Sequence, residues 1–336
     1  MNITCLEYYS SFKCEADSCN DTCCKFWQVE LDRESHHKYK ELMDTDKKVG
    51  KCLKSAISGI SKPRFRNDKA GNCVFLNDNN LCNLYTFLGH ENLPYTCKMY
   101  PRFINNFGGY EERGLSFSCP AAAKLIFENE QSLISFANDE PITQYTDIDA
   151  LLFSSLRIAR DRLLDFLFSH KDDVARAIPS IIDYAQSVQL YINNKQYSEI
   201  SKTEFRETDL YSDFLTDNKL RMRVIKSHIK HKHLRNGWRV LLINALESSL
   251  VLDNEALYVW MYYFIYRYAL KACDDYKFSQ KVTAGVLSYL VIGSLDLKIL
   301  DSIQKYSKET EHNQYNKNRL FAIAEKTISK YKILTK

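Results

Sequence analysis

The stretch Cys14 to Trp27 reads CEADSCNDTCCKFW and crowds four thiols into eleven residues. Ten of the chain's 11 cysteines precede residue 120, and only Cys273 follows. A chain with this distribution must bury, bridge or ligate those thiols, and each choice dictates a different first third. The opening MNITCLEYYSSFKC has no basic region followed by an apolar run, so it does not read as a secretory leader. No stretch reaches the ~18 apolar residues of a membrane span. Ala256 to Tyr266, between Glu255 and Arg267, comes nearest. The expected setting is cytoplasmic, where a reducing medium disfavours disulfides. Metal ligation is then the expected role of the clustered thiols. Cys5, Cys52 and Cys273 stand apart and read as small buried hydrophobes.

The clustered thiols repeat one theme, a cysteine in a tight turn. The first group is Cys14-x4-Cys19-x3-Cys23-Cys24, the second Cys73-x8-Cys82-x14-Cys97, and Cys119-Pro120 closes the set. Asn20, Asp21, Asn77, Asp78, Asn79 and Asn80 fill the gaps, and such residues favour turns. Turns aim backbone N–H groups at thiolate sulfur, which tunes an iron–sulfur cluster. A zinc ribbon would show paired Cys-x2-Cys knuckles, and none is present. Irregular spacing favours a [4Fe-4S] cluster over structural zinc, with zinc left open. The Cys-x3-Cys-x2-Cys loop of standard radical enzymes is absent, since Phe26 stands where the third thiol is required. Eight thiols exceed the four that one cluster needs. Either two centres exist or some thiols lie outside the ligand set. The expected set for one cluster is Cys73, Cys82 and Cys97 with one thiol of the first group, Cys119 being the substitute. Adjacent Cys23 and Cys24 are expected to point apart.

Glycine, 10 of 336 residues, is scarce against the usual ~7%, and there are only 6 prolines. Sheet-rich folds and the glycine loop of a dinucleotide-binding fold are therefore disfavoured. The expected fold is mainly α: a cysteine-rich domain of short helices and long loops over 1–125, a connecting segment over 126–146, and a helical bundle or array over 147–336. Apolar residues recur at helical spacing: Leu152, Leu156, Ala159, Leu163 and Leu167; Ile181, Tyr184, Val188 and Tyr191; Leu257, Met261, Phe264 and Tyr268. Trp238 to Ser249, Lys281 to Ile292 and Arg319 to Ile333 add further helices. The net charge of +4 is mild and does not suggest a nucleic-acid binder.

At the thiols the sequence resembles the flagellin lysine N-methylase family and, more distantly, small zinc- or iron-chelating domains with a Cys-Cys doublet. The resemblance rests on Tyr9-x2-Phe12-x-Cys14, Cys19-x3-Cys23-Cys24-x2-Trp27 with Asp32, Cys73-x-Phe75-Leu76, Leu81-Cys82-x-Leu84, Leu93-Pro94-x-Thr96-Cys97-x2-Tyr100-Pro101-Arg102, and Ser118-Cys119-Pro120. It covers about the first 125 residues. It implies a [4Fe-4S] cluster and methyl transfer from S-adenosylmethionine to lysine side chains of flagellin. Without a glycine-rich loop the donor must be held in another way, and an open iron could chelate the methionine end. A non-catalytic iron–sulfur or zinc module with a helical docking domain is the alternative.

Lysine methylation needs a proton acceptor, and Tyr100 and Asp32 are the candidates. Asp32 reads equally as a helix N-cap. Arg102 could pair with the donor carboxylate or tie down a loop carbonyl. Tyr85 and Trp27 are further candidates for the cofactor pocket, Trp27 as a shield against water. The rings of Tyr258 to Tyr268 read as core. His228, His231 and His233 invite a second metal site, but Lys226, Lys230, Lys232 and Arg235 favour a solvated basic face that could attract an acidic partner.

Overall fold

The computed structural model describes residues 1–19, 21–26, 28–137, 147–231 and 237–334. Strand β1 (Asn2–Leu6) opens the chain. Helices α1 (Arg33–Thr45) and α2 (Lys47–Ala56), short strands β2 (Ile57–Ser58) and β3 (Arg64–Phe65), and helices α3 (Asn83–Leu88) and α4 (Tyr95–Met99) follow. Next come β4 (Arg102–Asn106), β5 (Tyr110–Leu115), α5 (Pro120–Glu128) and β6 (Leu133–Ala137). The rest is helical: α6 (Ala150–Ser169), α7 (Val174–Asn193), α8 (Tyr197–Ile200), α9 (Asn218–Ile229), α10 (Trp238–Glu247), α11 (Asn254–Tyr268), α12 (Ala272–Asp275), α13 (Phe278–Ile292), α14 (Ile299–Glu311) and α15 (Gln314–Leu334). The chain is mainly α, as its composition and periodicity imply. None of the described helices is long and apolar enough to cross a membrane.

Aspartate sets most of the long helix starts. Asp32, Asp46, Asp149, Asp173, Asp217 and Asp253 each accept a first-turn backbone N–H through the side chain. That is the N-cap role for which a short carboxylate is suited. The centre of the helical part is α13, buried along its whole length and packed on α7, α9, α11 and α15. Gly285 permits the closest approach there. A Cβ would meet Phe264 Cδ1 at 3.1 Å and Met261 Sδ at 3.2 Å, and Trp260 Nε1 donates to the Gly285 carbonyl at 3.0 Å.

The first third holds more sheet than expected. A four-stranded sheet runs in the order β4-β5-β1-β6, with β1 parallel to β5 and antiparallel to β6. Strand β6 lies within the stretch expected to be a connection, where alternation was too short to read. The sheet rests on the helices through buried polar contacts. Arg160 on α6 pairs with Glu112 on β5 at 2.6 Å, and Tyr266 Oη lies 3.0 Å from the carbonyl oxygens of both Thr4 and Arg113.

Two apolar cores result. The large one joins Leu6, Tyr8, Phe12, Leu115, Phe117 and Ile126 to the helices α6 through α15, so it runs across residue 125. The small one gathers Val29, Leu31, Tyr39, Leu53, Phe65, Phe75, Leu84 and Leu93 from the thiol-rich segment. In this small core Phe65 meets Phe75 edge-on at 4.9 Å and stacks on Tyr39 at 6.0 Å.

Buried Glu311, at the end of α14, organises the large core's polar contacts. It accepts from Tyr263 Oη at 2.6 Å, Arg267 Nη1 at 3.0 Å, Tyr268 Oη at 3.1 Å and Ser116 Oγ at 3.3 Å. Removing that carboxylate strands a buried guanidinium and two phenols. Glu311→Ala is expected to cost about 3–5 kcal/mol, read as a lowered urea midpoint at unchanged slope. Glu311→Gln, which keeps one acceptor oxygen, is expected to cost less.

Candidate metal centre

The local folds of the thiol loops are fixed before any metal is considered. Asn77 closes its loop on itself: its side-chain oxygen accepts from Asn79 N and Leu81 N at 3.0 Å, and its backbone N–H bonds Leu81 O at 2.9 Å. This presents Cys82 as the N-cap residue of α3. Cys97 lies within α4, and Cys119 is the N-cap residue of α5 with Pro120 behind it. The first group is tied to the second by Cys73 N bonding Cys24 O at 2.7 Å and Phe26 N bonding Gly71 O at 2.9 Å.

None of the eleven cysteines is in a disulfide. Cys24, Cys82 and Cys97 pack against the small core, and Cys73 is buried within it. Cys24, Cys73 and Cys97 each lie within electrostatic reach of both Cys23 and Cys82, and those two of each other. Cys23 and Cys24 Sγ are 3.9 Å apart. The expectation that this adjacent pair points apart is therefore corrected: a tight turn, not an extended strand, carries them, and both sulfurs face one region. Cys14, Cys19 and Cys119 form a second set with mutual influence. Among the described residues, no three His, Cys, Asp or Glu side chains are grouped so as to hold a single metal ion.

Proton affinity differs across the first set. The Cys24 thiol donates toward Cys82, and with the backbone N–H groups of Tyr85 and Leu84 this lowers Cys82 to about 6. Cys23 is also lowered, first by Cys24 and further by the Lys308 ammonium. The donor, Cys24, is correspondingly raised. Burial pushes Cys73 up to about 11 and Cys97 well above the usual thiol range. Burial also raises Cys119 to about 12, although the N–H groups of Ala122 and Ala121 work against it. Soft thiolates of this kind select zinc, iron–sulfur or cuprous centres, and the donor set fits a thiophilic metal.

A buried cation serves the thiol loop. Lys308 on α14, buried, donates to Asp21 Oδ2 at 2.8 Å and to Thr22 O at 2.8 Å. One turn earlier, Gln304 Nε2 reaches Asp21 Oδ2 at 3.1 Å and Ser118 O at 2.8 Å. These two side chains clamp the loop between Cys19 and Cys23 onto the helical body. The sequence offered no sign of them, because a run such as Ser307-Lys308-Glu309-Thr310-Glu311 reads as a solvated face although all five residues are buried.

The other site candidates divide. Asp32 caps α1 and also accepts Tyr95 N at 2.8 Å. Burial opposes its charge, but the Ser35 and Tyr95 N–H groups and the Ser35 hydroxyl outweigh that and hold it below the usual carboxylate range. It is a structural cap and a weak base. Arg102 Nη2 lies 3.5 Å from Phe12 O, with its guanidinium over the Phe12 and Tyr9 rings at 5.0 and 5.8 Å. The Tyr85 ring is half exposed and meets His90 edge-on at 6.5 Å, so its backbone N–H, not its ring, serves Cys82. Tyr100 is within reach of Cys119 and Cys23, one thiol from each set, and receives Ser118 Oγ at 3.3 Å. Burial, then Cys119, raises its pKa well above the phenol range, which keeps it neutral. Trp27 and His233 lie outside the described residues. His228 and His231 are buried, contrary to a solvated face; His228 Nε2 meets Tyr306 Oη at 3.0 Å. Cys5 and Cys273 are buried as expected, but Cys52 is exposed on α2.

Residues 13–117 match the family model CxxCxxCC, described as "Putative zinc- or iron-chelating domain". That name spells spacings of two and two, where this chain has four and three before the doublet. Two curated relatives named "Lysine-N-methylase", from Salmonella typhimurium and Salmonella choleraesuis, are each 25% identical over 189 residues, covering 53% of this chain and 46% of the relative. A "Flagellar biosynthetic protein FliU" from Salmonella muenchen is 26% identical over 132 residues, 38% of this chain and 77% of the relative. The chain thus spans about half the length of the lysine-N-methylases it matches. No solved structure matches it.

Two outcomes are expected. The thiolate is the nucleophile, so in metal-free protein iodoacetamide labelling of Cys82 should climb through about pH 6 and level off above it. Cys73, raised to about 11, should still be gaining rate at the alkaline end; peptide mass spectrometry separates the two. Lys308→Met should weaken metal affinity on the order of 10–100-fold, as loss of a supporting contact does, measured by competition with a chelator.

Proposed function

We propose that the chain is an iron–sulfur protein methyltransferase that moves a methyl group from S-adenosylmethionine to lysine side chains of flagellin. The observation that carries this reading is the gathering of Cys23, Cys24, Cys73, Cys82 and Cys97 beside the buried Lys308, within a segment similar to proteins named lysine-N-methylase. The similarity to a flagellar biosynthetic protein supports the choice of flagellin.

In this reading Cys73, Cys82 and Cys97, with Cys23 or Cys24, hold a [4Fe-4S] cluster. A single zinc ion binds sulfur at about 2.3 Å and draws four ligands tightly together; thiols spread round a wider space suit a polynuclear centre better. When bound, such a cluster supplies a redox-active or Lewis-acidic iron surface. The chain's own residues do the remaining work. Lys308 balances part of the thiolate charge, and the N–H groups at the start of α3 hold Cys82 in its charged form. In the transfer the donor's S–CH3 bond breaks and leaves S-adenosylhomocysteine, an N–CH3 bond forms to the lysine nitrogen, and the one proton that nitrogen loses passes to solvent water. Neutral Tyr100, near both thiol sets, is assigned to orient the reacting groups by hydrogen bonding, not to act as a phenolate base.

A second reading, a metal-holding module without catalysis, is favoured by one observation. Asp32 and Arg102, two of the polar candidates, are both engaged in structural contacts. The two readings separate in one experiment. Anaerobically purified chain should be brown and carry iron in excess of zinc. Incubated with S-adenosylmethionine and flagellin, it should add the mass of a methyl group at lysines, and Cys82→Ser should abolish both colour and transfer. An intact cluster with unmodified flagellin would establish the module instead.

A further inference from the structure

Helices α9 and α15 both pack on α13 and leave a groove between their outer faces. Two cavities of about 540 and 490 Å³ line it and share Arg223, Ser227 and Arg319, so they form one continuous trough. From α9 and its C-terminal cap residue it receives Lys219, Arg223 and Lys226, with Lys230 at the cap. From α15 it receives Arg319, Lys326 and Lys330. No carboxylate is among the lining residues of either cavity. Seven cations on one trough exceed the net charge of the whole chain, which is +4.

The nearby acids are engaged in other hydrogen bonds, and none lines the trough. Asp217 is used as the cap of α9, accepting from Lys219 N and Leu220 N, and Asp213 accepts from Tyr331 Oη at 3.3 Å. Arg319 spends Nη1 on Tyr315 Oη at 3.1 Å, while its Nε is buried with no hydrogen-bond partner among the described residues. A buried guanidinium N–H without an acceptor costs free energy, and an incoming carboxylate would remove that cost. The floor of the trough is different in character: Met222, Ala322 and Ile323 line it.

We propose that this groove docks an acidic amphipathic segment of a partner protein. Its apolar side seats on Met222, Ala322 and Ile323, and its carboxylates meet the two basic rims. Each rim spans twelve residues, about 16 Å of helix from first to last, which accommodates two to three turns of an occupant. The lining argues against nucleic acid. It offers no aromatic ring on which a base could stack, and an apolar floor gives nothing to a phosphate backbone. His228 and His231 turn inward, so among the described residues the charged groups that line the trough are lysines and arginines. The inference stands apart from the methyl-transfer reading.

The test is fluorescence anisotropy of the full chain with a labelled synthetic helical peptide that carries glutamates on two flanks and leucines on one seam. Two comparators are used: the same peptide with lysine for glutamate, and a single-stranded oligothymidylate of equal charge. The acidic peptide should bind, weaken with added salt, and lose about tenfold in affinity with Arg223→Glu or Arg319→Glu. Ile323→Ser should weaken it as well. Arg223→Gln and Arg319→Gln, with circular dichroism matching the parent, give the same reading without a reversed charge. Equal or tighter binding of the oligothymidylate would overturn the proposal. So would an acidic-peptide affinity that the glutamine variants leave unmoved.

Discussion

The contact on which the first third depends is a buried ammonium. Lys308 reaches from α14 to Asp21 and to the Thr22 carbonyl, and no other contact described here brings so much charge to the thiol loop. Burying a lysine is costly, and an ion pair in a protein interior seldom gains much net stability over apolar packing. Its consequence is therefore orientation and charge balance. A loop that must present several thiolates accumulates negative charge, and a fixed cation beside it reduces the repulsion that would otherwise open the loop. The lowering of Cys23 by Lys308 is the local sign of that balance.

The same helix face carries the second constraint. Gln304, Lys308 and Glu311 follow at i, i+4 and i+7, so they project to one side of α14. The first two grip the thiol loop, and the third gathers Tyr263, Arg267 and Tyr268 from α11. Helix α14 thus links the thiol-rich segment to the centre of the bundle through these polar contacts as well as through its buried Ile303 and Tyr306. Ser116 and Ser118, just before Cys119, join this network by bonding Glu311 and Tyr100. A shift of α14 along its axis would displace the thiol loop and the Glu311 cluster together.

Much of this was legible in the sequence where a single physical rule operates. Leu152 to Leu167 and Leu257 to Tyr268 repeat at helical period, and α6 and α11 stand there. The Asn and Asp residues around Cys82 signalled a closed loop, and Asn77 builds it. What escaped depends on partners far away in the chain. Helix α14 is polar on the face that matters, and a buried polar face is indistinguishable from a solvated one until its acceptors, Asp21 and Ser118, are in place. His228 misled for the same reason: flanking lysines suggested solvent, but α9 turns the lysines out and the imidazole toward Tyr306. Strand β6 escaped because five residues hold too little alternation, and its pairing with β1 is a contact across about 130 positions.

The excess of thiols over one cluster's needs also finds its explanation in the cores. Cys24, Cys73, Cys82 and Cys97 belong to the small core of the N-terminal segment, and Cys119 belongs to the large core shared with the helices. Cys119 is thus packed in a different core from those four thiols, and Tyr100 lies within reach of both Cys23 and Cys119. Gln304 bridges Asp21 to the Ser118 carbonyl, one residue from each side of the divide, and Lys308 holds the same carboxylate. Polar side chains of a helix that contributes no thiol of its own thus tie the loop between Cys19 and Cys23 to the segment just before Cys119.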